Sequence, residues 1–355
     1  MPKPVWKGAR NVAGTHLGID LGTAKVTIYK EGAGIVLREP SVIAVETRRG
    51  RVIAVGSEAE EMIGREPPTI RVIRPMQKGV VSDYDCTEKM LRAFVNKVCA
   101  FKVFKPRAAI SVPAAVTEVE ERSVVQAATS VGIRRVALVE EYIAAAFGAG
   151  LAVEEPRGCM IVDIGAGTTD VGVLSLGGVT SALSVKTAGN DMDEAIVRMV
   201  RNRYNHVIGP KTAEEIKKTI GGVLPREATM EVRGRDAISG LPCTKTVSAS
   251  DVFDALSESF LTILDTIQTV LEQTPPEMAG DVMADGITLS GGGAHLFGLC
   301  DRLSRELGVP CRVAENAEDC VALGAGKAIL SRRSAKENLY DVNLFSYDRS
   351  DWIES

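Results

Sequence analysis

Two aspartates each end an apolar, strand-like run and are followed at once by a turn of small residues. Asp20 stands in "GIDLGTAKVTIY" and Asp163 in "VDIGAGTTDVGVL", and a second strand-like run follows each turn. Such turns leave backbone N–H groups accessible, and a concave set of N–H groups binds anions, above all phosphate. A carboxylate beside a bound phosphate requires a cation between them. The pattern therefore predicts Mg²⁺ held through water by Asp20 and Asp163.

A third turn adds to this pattern. Gly291–Gly293 follow a strand-like run that ends at Ser290 and precede a helical pattern. A glycine-rich turn at a helix N-terminus is itself an anion site. One Asp-x-Gly-Thr turn alone is more typical of an ordinary β-hairpin. Two such turns and the third loop together favour a nucleotide site, with the hydroxyls of Thr23, Thr168 and Thr169 as further donors. The sequence contains neither a P-loop motif nor a Rossmann motif.

The elements that must position these turns alternate between strand-like runs and amphipathic helical patterns, which is typical of an α/β fold. Buried strands are predicted at 107–112, 136–139, 160–164 and 286–290. Helices are predicted at 87–101, from a capping box at 117–120 to Gly132, from a cap at Asn190 to about Tyr204, and from a capping box at 212–215. The two aspartate motifs lie 143 positions apart, one in each half of the chain. This repeat predicts two domains of related topology that share a cleft.

Composition bounds the remaining possibilities. The chain has 355 residues, of which 45% are hydrophobic, and this length favours two domains of about 100–200 residues each. The net charge of −4 gives no electrostatic reason to expect a nucleic-acid partner. Seven cysteines without metal-ligand spacing predict reduced thiols in a cytosol. With no signal-peptide pattern and no apolar run longer than 144–153, the sequence predicts a cytoplasmic protein whose membrane contact is peripheral.

Several stretches, in order along the chain, resemble the bacterial MreB family of the actin-like ATPase superfamily, which also contains DnaK-type chaperones and sugar kinases. They are "GIDLGTA", "GIVLREPSVIAV", "IRPMQKGVVSDYD", "VEEYIAAAFGAGL", "VDIGAGTTDVGVLSLGG", "AGNDMDEAI", "KTAEEIK", "LEQTPPEMAGD" and "LSGGGAHLFGL". The resemblance extends from about Leu17 to Leu330. It implies an actin-like α/β fold, in which two related domains, each with a smaller subdomain, enclose a nucleotide cleft.

The resemblance also implies a division of the chain and a function. Residues 1–15 are a leader and candidate membrane anchor, 16–155 the first actin-like domain, 156–330 the second, and 331–355 a tail. The implied cofactors are ATP and Mg²⁺, and the implied activity is slow ATP hydrolysis coupled to polymerisation. Filaments on the inner face of the cytoplasmic membrane would organise cell-wall synthesis and set cell shape. The implied partners are other copies of the chain, cell-wall elongation membrane proteins and MreB paralogues.

Carried over residue by residue, the resemblance implies nucleotide contacts in four segments. They comprise a first phosphate loop with Asp20, Gly22, Thr23, Ala24 and Lys25; a second with Asp163, Gly165, Ala166, Gly167 and Thr168; Glu214, Glu215, Ile216 and Lys217 at ribose and base; and a third loop with Gly291, Gly292, Gly293 and Ala294. Glu141 and Thr168 match family residues that position and polarise the attacking water. From the residues alone, Glu141 is a solvated acid at a helix start, favoured there by the helix dipole, and Glu214 and Lys217 form an exposed helical pair.

Three residues depart from the family pattern. Lys25 stands where the family usually has asparagine, so its ammonium either grips phosphate or pairs with Asp20 and competes with the metal. Ala166 replaces a usual glycine, which costs little unless φ is positive there. Tyr142 replaces a usual proline after Glu141, so the loop that holds Glu141 is expected to be less rigid. Together these departures suggest a diverged paralogue.

Apolar residues among cations in "AFKVFKPR" suit the interface of an anionic bilayer. Val103 and Phe104 match the hydrophobic membrane tip of the family, whereas Phe101 is expected to end a core helix. Burial of one tip phenylalanine is worth only about 1.5–3 kcal/mol, so membrane binding would depend on the many copies in a filament. The tail beyond Ser331 either docks on its own domain or serves as a partner peptide.

Three hypotheses remain open at this point. The first is a cytoskeletal ATPase that polymerises on the membrane. The second is a small-molecule kinase of the same superfamily, for which the sequence shows no general-base aspartate facing a substrate pocket. The third is a paralogue that binds nucleotide and copolymerises with little hydrolysis, which Lys25, Ala166 and Tyr142 favour. A chaperone is excluded because too few residues follow Leu330 for a substrate-binding domain.

Overall fold

The computed structural model describes residues 15–99, 106–334 and 346–347. In chain order the strands are β1 His16–Leu21, β2 Lys25–Lys30, β3 Gly34–Pro40, β4 Ile43–Glu46, β5 Val52–Val55, β6 Ile70–Ile73, β7 Met76–Gln77, β8 Val80–Val81, β9 Arg107–Val112, β10 Arg135–Glu140, β11 Cys159–Ile164, β12 Thr169–Ser175, β13 Gly178–Val185, β14 His206–Val207, β15 Thr229–Asp236, β16 Pro242–Ser248, β17 Ile287–Ser290, β18 Cys311–Val313 and β19 Ser346–Tyr347.

The α-helices are α1 Ser57–Glu60, α2 Tyr84–Val98, α3 Glu118–Ser130, α4 Glu141–Gly148, α5 Gly189–Tyr204, α6 Pro210–Ile220, α7 Ala249–Glu272, α8 Pro276–Asp285, α9 Leu299–Leu307 and α10 Cys320–Ser334. Two short 3-10 helices span Gly292–His295 and Ala317–Asp319. The four buried strands predicted from the sequence correspond to β9, β10, β11 and β17, so the predicted α/β pattern is confirmed.

Two larger sheets share one strand order. The first runs β19-β10-β9-β1-β2-β3 and the second β13-β12-β11-β17-β18. In each sheet an antiparallel meander of three strands begins with an aspartate-bearing strand, and parallel strands continue on its other side. The repeat of the aspartate motif is therefore a repeat of sheet topology.

The register of the two hairpins places the aspartates in equivalent positions. Leu21 pairs with Val26 in the first hairpin, as Ile164 pairs with Thr169 in the second. Four residues separate the members of this last pair in each hairpin. Both aspartates consequently lie one residue before the last paired position, at the mouth of a turn.

One predicted helix start is confirmed and two are wrong. Thr117 and Glu120 form the predicted capping box. Asn190 is not a helix cap, because α5 begins one residue earlier and the carboxylate of Asp191 accepts the Ala188 N–H. The capping box predicted at 212–215 is also wrong. Pro210, with its fixed φ, stands in the first turn and starts α6 two residues earlier than predicted.

Two cores support the sheets, and one helix crosses between the halves. The helices α5, α6 and α7 pack on the second sheet, whereas α2 and α3 pack on the first. The helix α10 follows the second half in sequence but packs on β1 and β9 of the first sheet and against α4. At the crossing of α4 and α10 a Cβ on Gly324 would lie 1.7 Å from the Ala144 carbonyl oxygen, so backbone meets backbone.

Smaller sheets extend from both halves. Strands β4, β5 and β6 form one, and β14, β15 and β16 form another. In the tail, β19 pairs antiparallel with β10. The predicted membrane tip, Val103 and Phe104, and residues 1–14 of the predicted leader lie outside the described residues. Among those that are described, no helix combines the length and apolarity needed to cross a bilayer.

Candidate functional site

The two hairpin turns meet. A Cβ on Gly167 in the second turn would lie 2.4 Å from Thr23 Oγ1 in the first and 2.7 Å from the Cα of Lys78. Only glycine fits such a close approach. The Thr23 hydroxyl also accepts the Gly79 N–H at 2.8 Å, so the β7–β8 turn joins the same cluster. The structure therefore brings the first and second predicted loops together.

Both aspartates face this meeting point without a full shell of water. Burial raises the pKa of Asp163 to about 7 and that of Asp20 to about 6. The charges of Asp170 and Asp20 also raise the pKa of Asp163, and the charge of Asp319 raises that of Asp20. A serine hydroxyl opposes the shift at each: Ser290 donates to Asp163 at 2.6 Å and Ser111 to Asp20 at 3.2 Å. The site is thus rich in negative charge that is poorly solvated.

Glu141 and Thr168 are in direct contact. The Thr168 hydroxyl donates to Glu141 Oε2 at 3.1 Å, and both side chains are buried. Burial, followed by the charges of Asp170, Asp20 and Asp163, raises the pKa of Glu141 well above its usual range. The interpretation of Glu141 as a solvated acid is wrong, because the second hairpin covers the start of α4.

Asp170 belongs to this cluster but was not predicted. It lies directly opposite Asp163 in the hairpin register. One carboxylate oxygen accepts the Ala114 N–H at 3.1 Å, whereas the other, Oδ2, is buried without a hydrogen-bond donor in the part of the chain that the structure describes. A four-residue turn after Asp163 would have placed Asp170 there. Ser111 and Ser290 were not predicted either, because they lie beside the aspartates on the parallel strands β9 and β17, which are distant in sequence.

Lys25 does not pair with Asp20. Its ammonium donates to Glu318 Oε2 at 2.6 Å, although its charge still lowers the pKa of Asp20. Next to it, Arg38 makes a two-pronged contact with Asp319 at 2.8 and 2.7 Å. The meander of the first sheet is thereby fastened to the 3-10 helix Ala317–Asp319, a connection across more than half of the sequence.

The second turn is also bonded to the start of α5. The carbonyl of Gly165 accepts from the Gly189 N–H at 3.2 Å and that of Ala166 from the Asn190 N–H at 2.8 Å. Ala166 is not among the described non-glycine residues with positive φ, which are Lys78, Leu176, Asn205 and Asn316. The departure from glycine at this position therefore introduces no backbone strain.

The third loop packs on the second hairpin. Gly293 lies so close to Ile164 that a Cβ would be 2.3 Å from its Cγ2 atom. Gly291 has a positive φ of 79° and donates its N–H to the Ala317 carbonyl at 2.9 Å, and Ala294 is buried. The structure thus adds the third predicted loop to the first two. The helix after Gly291 is a single 3-10 turn, which precedes α9.

The segment Glu214–Lys217, which was predicted to contact ribose and base, lies on α6 and reaches the second turn through the start of α5. The ammonium of Lys217 donates to the Gly189 carbonyl at 2.7 Å and is 2.8 Å from Asp193 Oδ1. Glu214 pairs with Lys218 at 2.7 Å, one turn along the helix. The Ile216 side chain is buried in the core, and Glu215 is exposed.

Tyr142 fastens the start of α4 rather than loosening it. Its ring is buried and lies against Gly172 of β12, where a Cβ would be 2.3 Å from the ring. Its hydroxyl donates to the carboxylate of Glu140. Glu141 therefore stands at the first position of a helix that is anchored to the second hairpin, and the expected loss of rigidity is not found.

Metal binding by side chains alone is not built into this site. Among the described residues, no group of three or more histidine, cysteine, aspartate or glutamate side chains is arranged to hold a metal ion. The buried Asp163 and the uncompensated Oδ2 of Asp170 nevertheless fit a hydrated divalent cation, since Mg²⁺ retains water and accepts phosphate oxygens as ligands.

Comparisons with known proteins were made on both sequence and structure. A family model described as MreB/Mbl protein matches residues 14–337. The cell shape-determining protein Mbl of Bacillus subtilis is 46% identical over 313 residues, which cover 87% of this chain and 94% of that protein. The cell shape-determining protein MreB of Escherichia coli is 44% identical over 331 residues, or 91% of this chain and 95% of that protein.

Solved structures agree. MreB 5 of Spiroplasma citri bound to AMPPNP has a TM-score of 0.86 at 34% identity and covers 91% of this chain and 99% of its own. The same protein bound to ADP has a TM-score of 0.84 at 35% identity, with 91% and 97% coverage. A MamK double helical filament, at 22% identity and a TM-score of 0.78 over 90% of this chain and 99% of that one, shares the fold alone. These likenesses confirm the predicted actin-like α/β fold.

Proposed function

The chain belongs to the MreB/Mbl protein family, and we propose that it is an ATP-binding actin homologue whose filaments assemble on the cytoplasmic membrane and organise cell-wall synthesis. The relatives are named cell shape-determining proteins, which supports a role in setting cell shape. One observation carries the nucleotide part of the proposal. Two turns, each preceded by an aspartate, meet at Gly167 and Thr23, and the phosphates would lie against the backbone N–H groups of both turns.

In this proposal the phosphates lie between the first and second loops and the sugar and base between α6 and the third loop. The N–H groups of Gly22 to Lys25 and Gly165 to Thr168 neutralise phosphate charge. The ammonium of Lys217, which belongs to α6, reaches the start of α5, where it pairs with Asp193. The AMPPNP-bound and ADP-bound relatives support nucleotide binding by this chain.

Glu141 and Thr168 supply the residues for hydrolysis. A carboxylate oriented by the Thr168 hydroxyl can hold a water molecule in line with the γ-phosphate and accept its proton. Glu141 must be ionised to do so, which requires that the negative charges of Asp20, Asp163 and Asp170 be offset. The activity is therefore a slow, Mg²⁺-dependent ATPase, since the base becomes available only in the loaded site.

The residues that would hold Mg²⁺ are Asp20 and Asp163, through water. A bound Mg²⁺ would neutralise the charge of the β- and γ-phosphates. The protein's own contribution is to keep both carboxylates beside the turns, each fixed by a serine hydroxyl.

Self-association, membrane binding and partners complete the proposal. Head-to-tail contacts between copies do not close on themselves and so form filaments. The filament would lie on the inner face of the cytoplasmic membrane as a peripheral, cytoplasmic assembly, where cell-wall elongation membrane proteins or MreB paralogues would meet it. The names of the relatives support this part, and the predicted membrane tip and most of the leader lie outside the described residues.

Sedimentation and phosphate release, measured on the same samples with ATP and Mg²⁺, test the proposal. Pelletable polymer together with phosphate release is the expected result. Polymer without release would favour the copolymerising paralogue, and release only with a sugar acceptor would favour a small-molecule kinase. A lipid monolayer examined by negative-stain microscopy tests membrane assembly separately.

Titration of the purified protein with ATP, with and without Mg²⁺, tests the nucleotide site itself. The expected result is binding that weakens when Mg²⁺ is removed. The absence of any ATP binding at millimolar concentration would refute the proposed site.

A further inference from the structure

The ion pair between Lys25 and Glu318 joins two parts of the chain that lie 293 positions apart. The Lys25 ammonium is 2.6 Å from Glu318 Oε2, and the two side chains are 31% and 55% exposed. A half-exposed pair of this kind contributes little to stability, because water and salt screen it. It can therefore be broken at low cost.

Lys25 also faces the buried carboxylates. Its charge lowers the pKa of Asp20 and of Asp163, and it lowers the pKa of Glu318 itself, mainly through their hydrogen bond. In the hairpin register Lys25 stands where Thr168 stands in the second hairpin, one residue before the last paired position of the returning strand. A cation at this position lies beside the space assigned to the phosphates.

Resting on the proposed nucleotide binding, we propose that Glu318 and the nucleotide's phosphates compete for the Lys25 ammonium. In the free protein Glu318 holds the ammonium. An arriving polyphosphate carries more charge than one carboxylate and draws the ammonium inward on its flexible four-carbon stem. Glu318 thereby lowers the affinity for phosphate, and the partner of the Lys25 ammonium changes from Glu318 to phosphate when the site is filled.

The neighbouring ion pair allows this exchange without loosening the structure. Arg38 holds Asp319 by two hydrogen bonds, so the 3-10 helix Ala317–Asp319 stays fastened to β3 when Lys25 leaves Glu318. The exchange is thus confined to one side chain.

Equilibrium binding of ATP, ADP and adenosine to four proteins tests the competition. These are the wild type, Lys25→Asn, Glu318→Gln and the double variant. Lys25→Asn should weaken ATP and ADP by about tenfold, the worth of a charge-assisted hydrogen bond, and leave adenosine unchanged. Glu318→Gln should tighten both nucleotides by about threefold. In the double variant the gain from Glu318→Gln should vanish, because its only route is through Lys25.

Lys97→Asn is the matched control, since Lys97 is an exposed lysine that forms a similarly short ion pair, at 2.5 Å, with the partly buried Glu39. It should leave all three affinities unchanged. The inference is overturned if Glu318→Gln weakens ATP binding, if its effect persists in the Lys25→Asn background, or if Lys25→Asn affects adenosine as much as ATP. A wild type that binds no ATP would instead overturn the proposed function, so the two failures are distinguishable.

Discussion

The hairpin β1–β2 and the hairpin β11–β12 have the same backbone plan but different surroundings. Each begins with a strand whose penultimate residue is an aspartate, and in each four residues separate the last paired position of this strand from its partner on the antiparallel returning strand. Each aspartate accepts a hydrogen bond from a serine on the parallel neighbour, Ser111 in one sheet and Ser290 in the other. The plan is therefore equivalent down to a supporting side chain.

The side chains that follow differ in charge. The residue just before the last paired position of the returning strand is Lys25 in the first hairpin and Thr168 in the second. Opposite the aspartate stands Thr27 in the first and Asp170 in the second. The first hairpin thus adds a cation that reaches Glu318, whereas the second adds an acid and a hydroxyl that contacts Glu141.

Two hairpins with the same backbone plan thus differ in chemistry through only a few side chains. In the proposed function the first hairpin would bind negative charge and the second would position a reacting water. Changes in the first should consequently alter affinity, and changes in the second should alter turnover. Four pairs of substitutions sharpen or break this division.

The largest effect is expected from Glu141→Gln. Loss of the base should reduce phosphate release at saturating ATP by about 100-fold or more, with ATP affinity changed less than about threefold. Lys25→Asn should show the opposite pattern. Single-turnover phosphate release and equilibrium binding measure the two effects. Equal losses of turnover in both variants would break the division between the hairpins.

The pH dependence of stability should differ between the two aspartates. Their pKa values, about 7 for Asp163 and about 6 for Asp20, lie above the ordinary value of 3.8, so the folded state holds these protons more firmly than the unfolded state. The stabilisation is complete below about pH 4 and is lost as pH rises to the folded pKa.

When the pH is raised from 4 to 8 in the absence of ligand and Mg²⁺, the free energy of unfolding of Asp163→Asn should increase by about 2–4 kcal/mol relative to that of the wild type. The increase for Asp20→Asn should be smaller. Urea unfolding at both pH values measures these differences. A gain that is equal for the two variants, or that appears at low pH instead, would contradict the assignment of the more desolvated carboxylate to the second hairpin.

The two turn threonines should separate stability from turnover. Thr168→Val removes the donor to Glu141 and should slow phosphate release by about tenfold. Thr23→Val leaves the Gly79 N–H without its acceptor and should lower the free energy of unfolding by about 1–3 kcal/mol. The rate of phosphate release and the free energy of unfolding should be measured for both variants. Slower phosphate release in Thr23→Val at unchanged ATP affinity would contradict the separation of stability from turnover.

The smallest effect is expected at the supporting serines. Ser290→Ala removes a bond of 2.6 Å and Ser111→Ala one of 3.2 Å. The loss of Mg²⁺-dependent ATP affinity should be about fivefold for Ser290→Ala and about twofold for Ser111→Ala. Isothermal titration at fixed Mg²⁺ distinguishes them. A larger loss of affinity in Ser111→Ala than in Ser290→Ala would contradict the expectation that the second hairpin's serine contributes more.

Much of the site was predictable because it is local. An aspartate, a glycine turn and a returning strand are adjacent in sequence, so the three loops and the repeat of topology followed from short patterns. Asp170 was within reach too, because a four-residue turn fixes which residue lies opposite Asp163.

Other parts depend on long-range contacts that no short pattern encodes. Burial of Glu141 required the second hairpin to cover the start of α4, whereas an acid in a first helical turn is ordinarily solvated. The partner of Lys25 was missed because Glu318 lies on a 3-10 turn in the other half of the sequence. The return of α10 to the first sheet likewise depends on glycines that only a packed structure explains.

The contact of α4 with α10 couples distant events. No deformable side chain separates the two helices where Gly324 meets Ala144, so neither can shift far without carrying the other along. Glu141 is the first residue of α4, within about 5 Å of axis from that crossing. A displacement of α10 by a neighbouring molecule would accordingly move α4 and, with it, the carboxylate of Glu141.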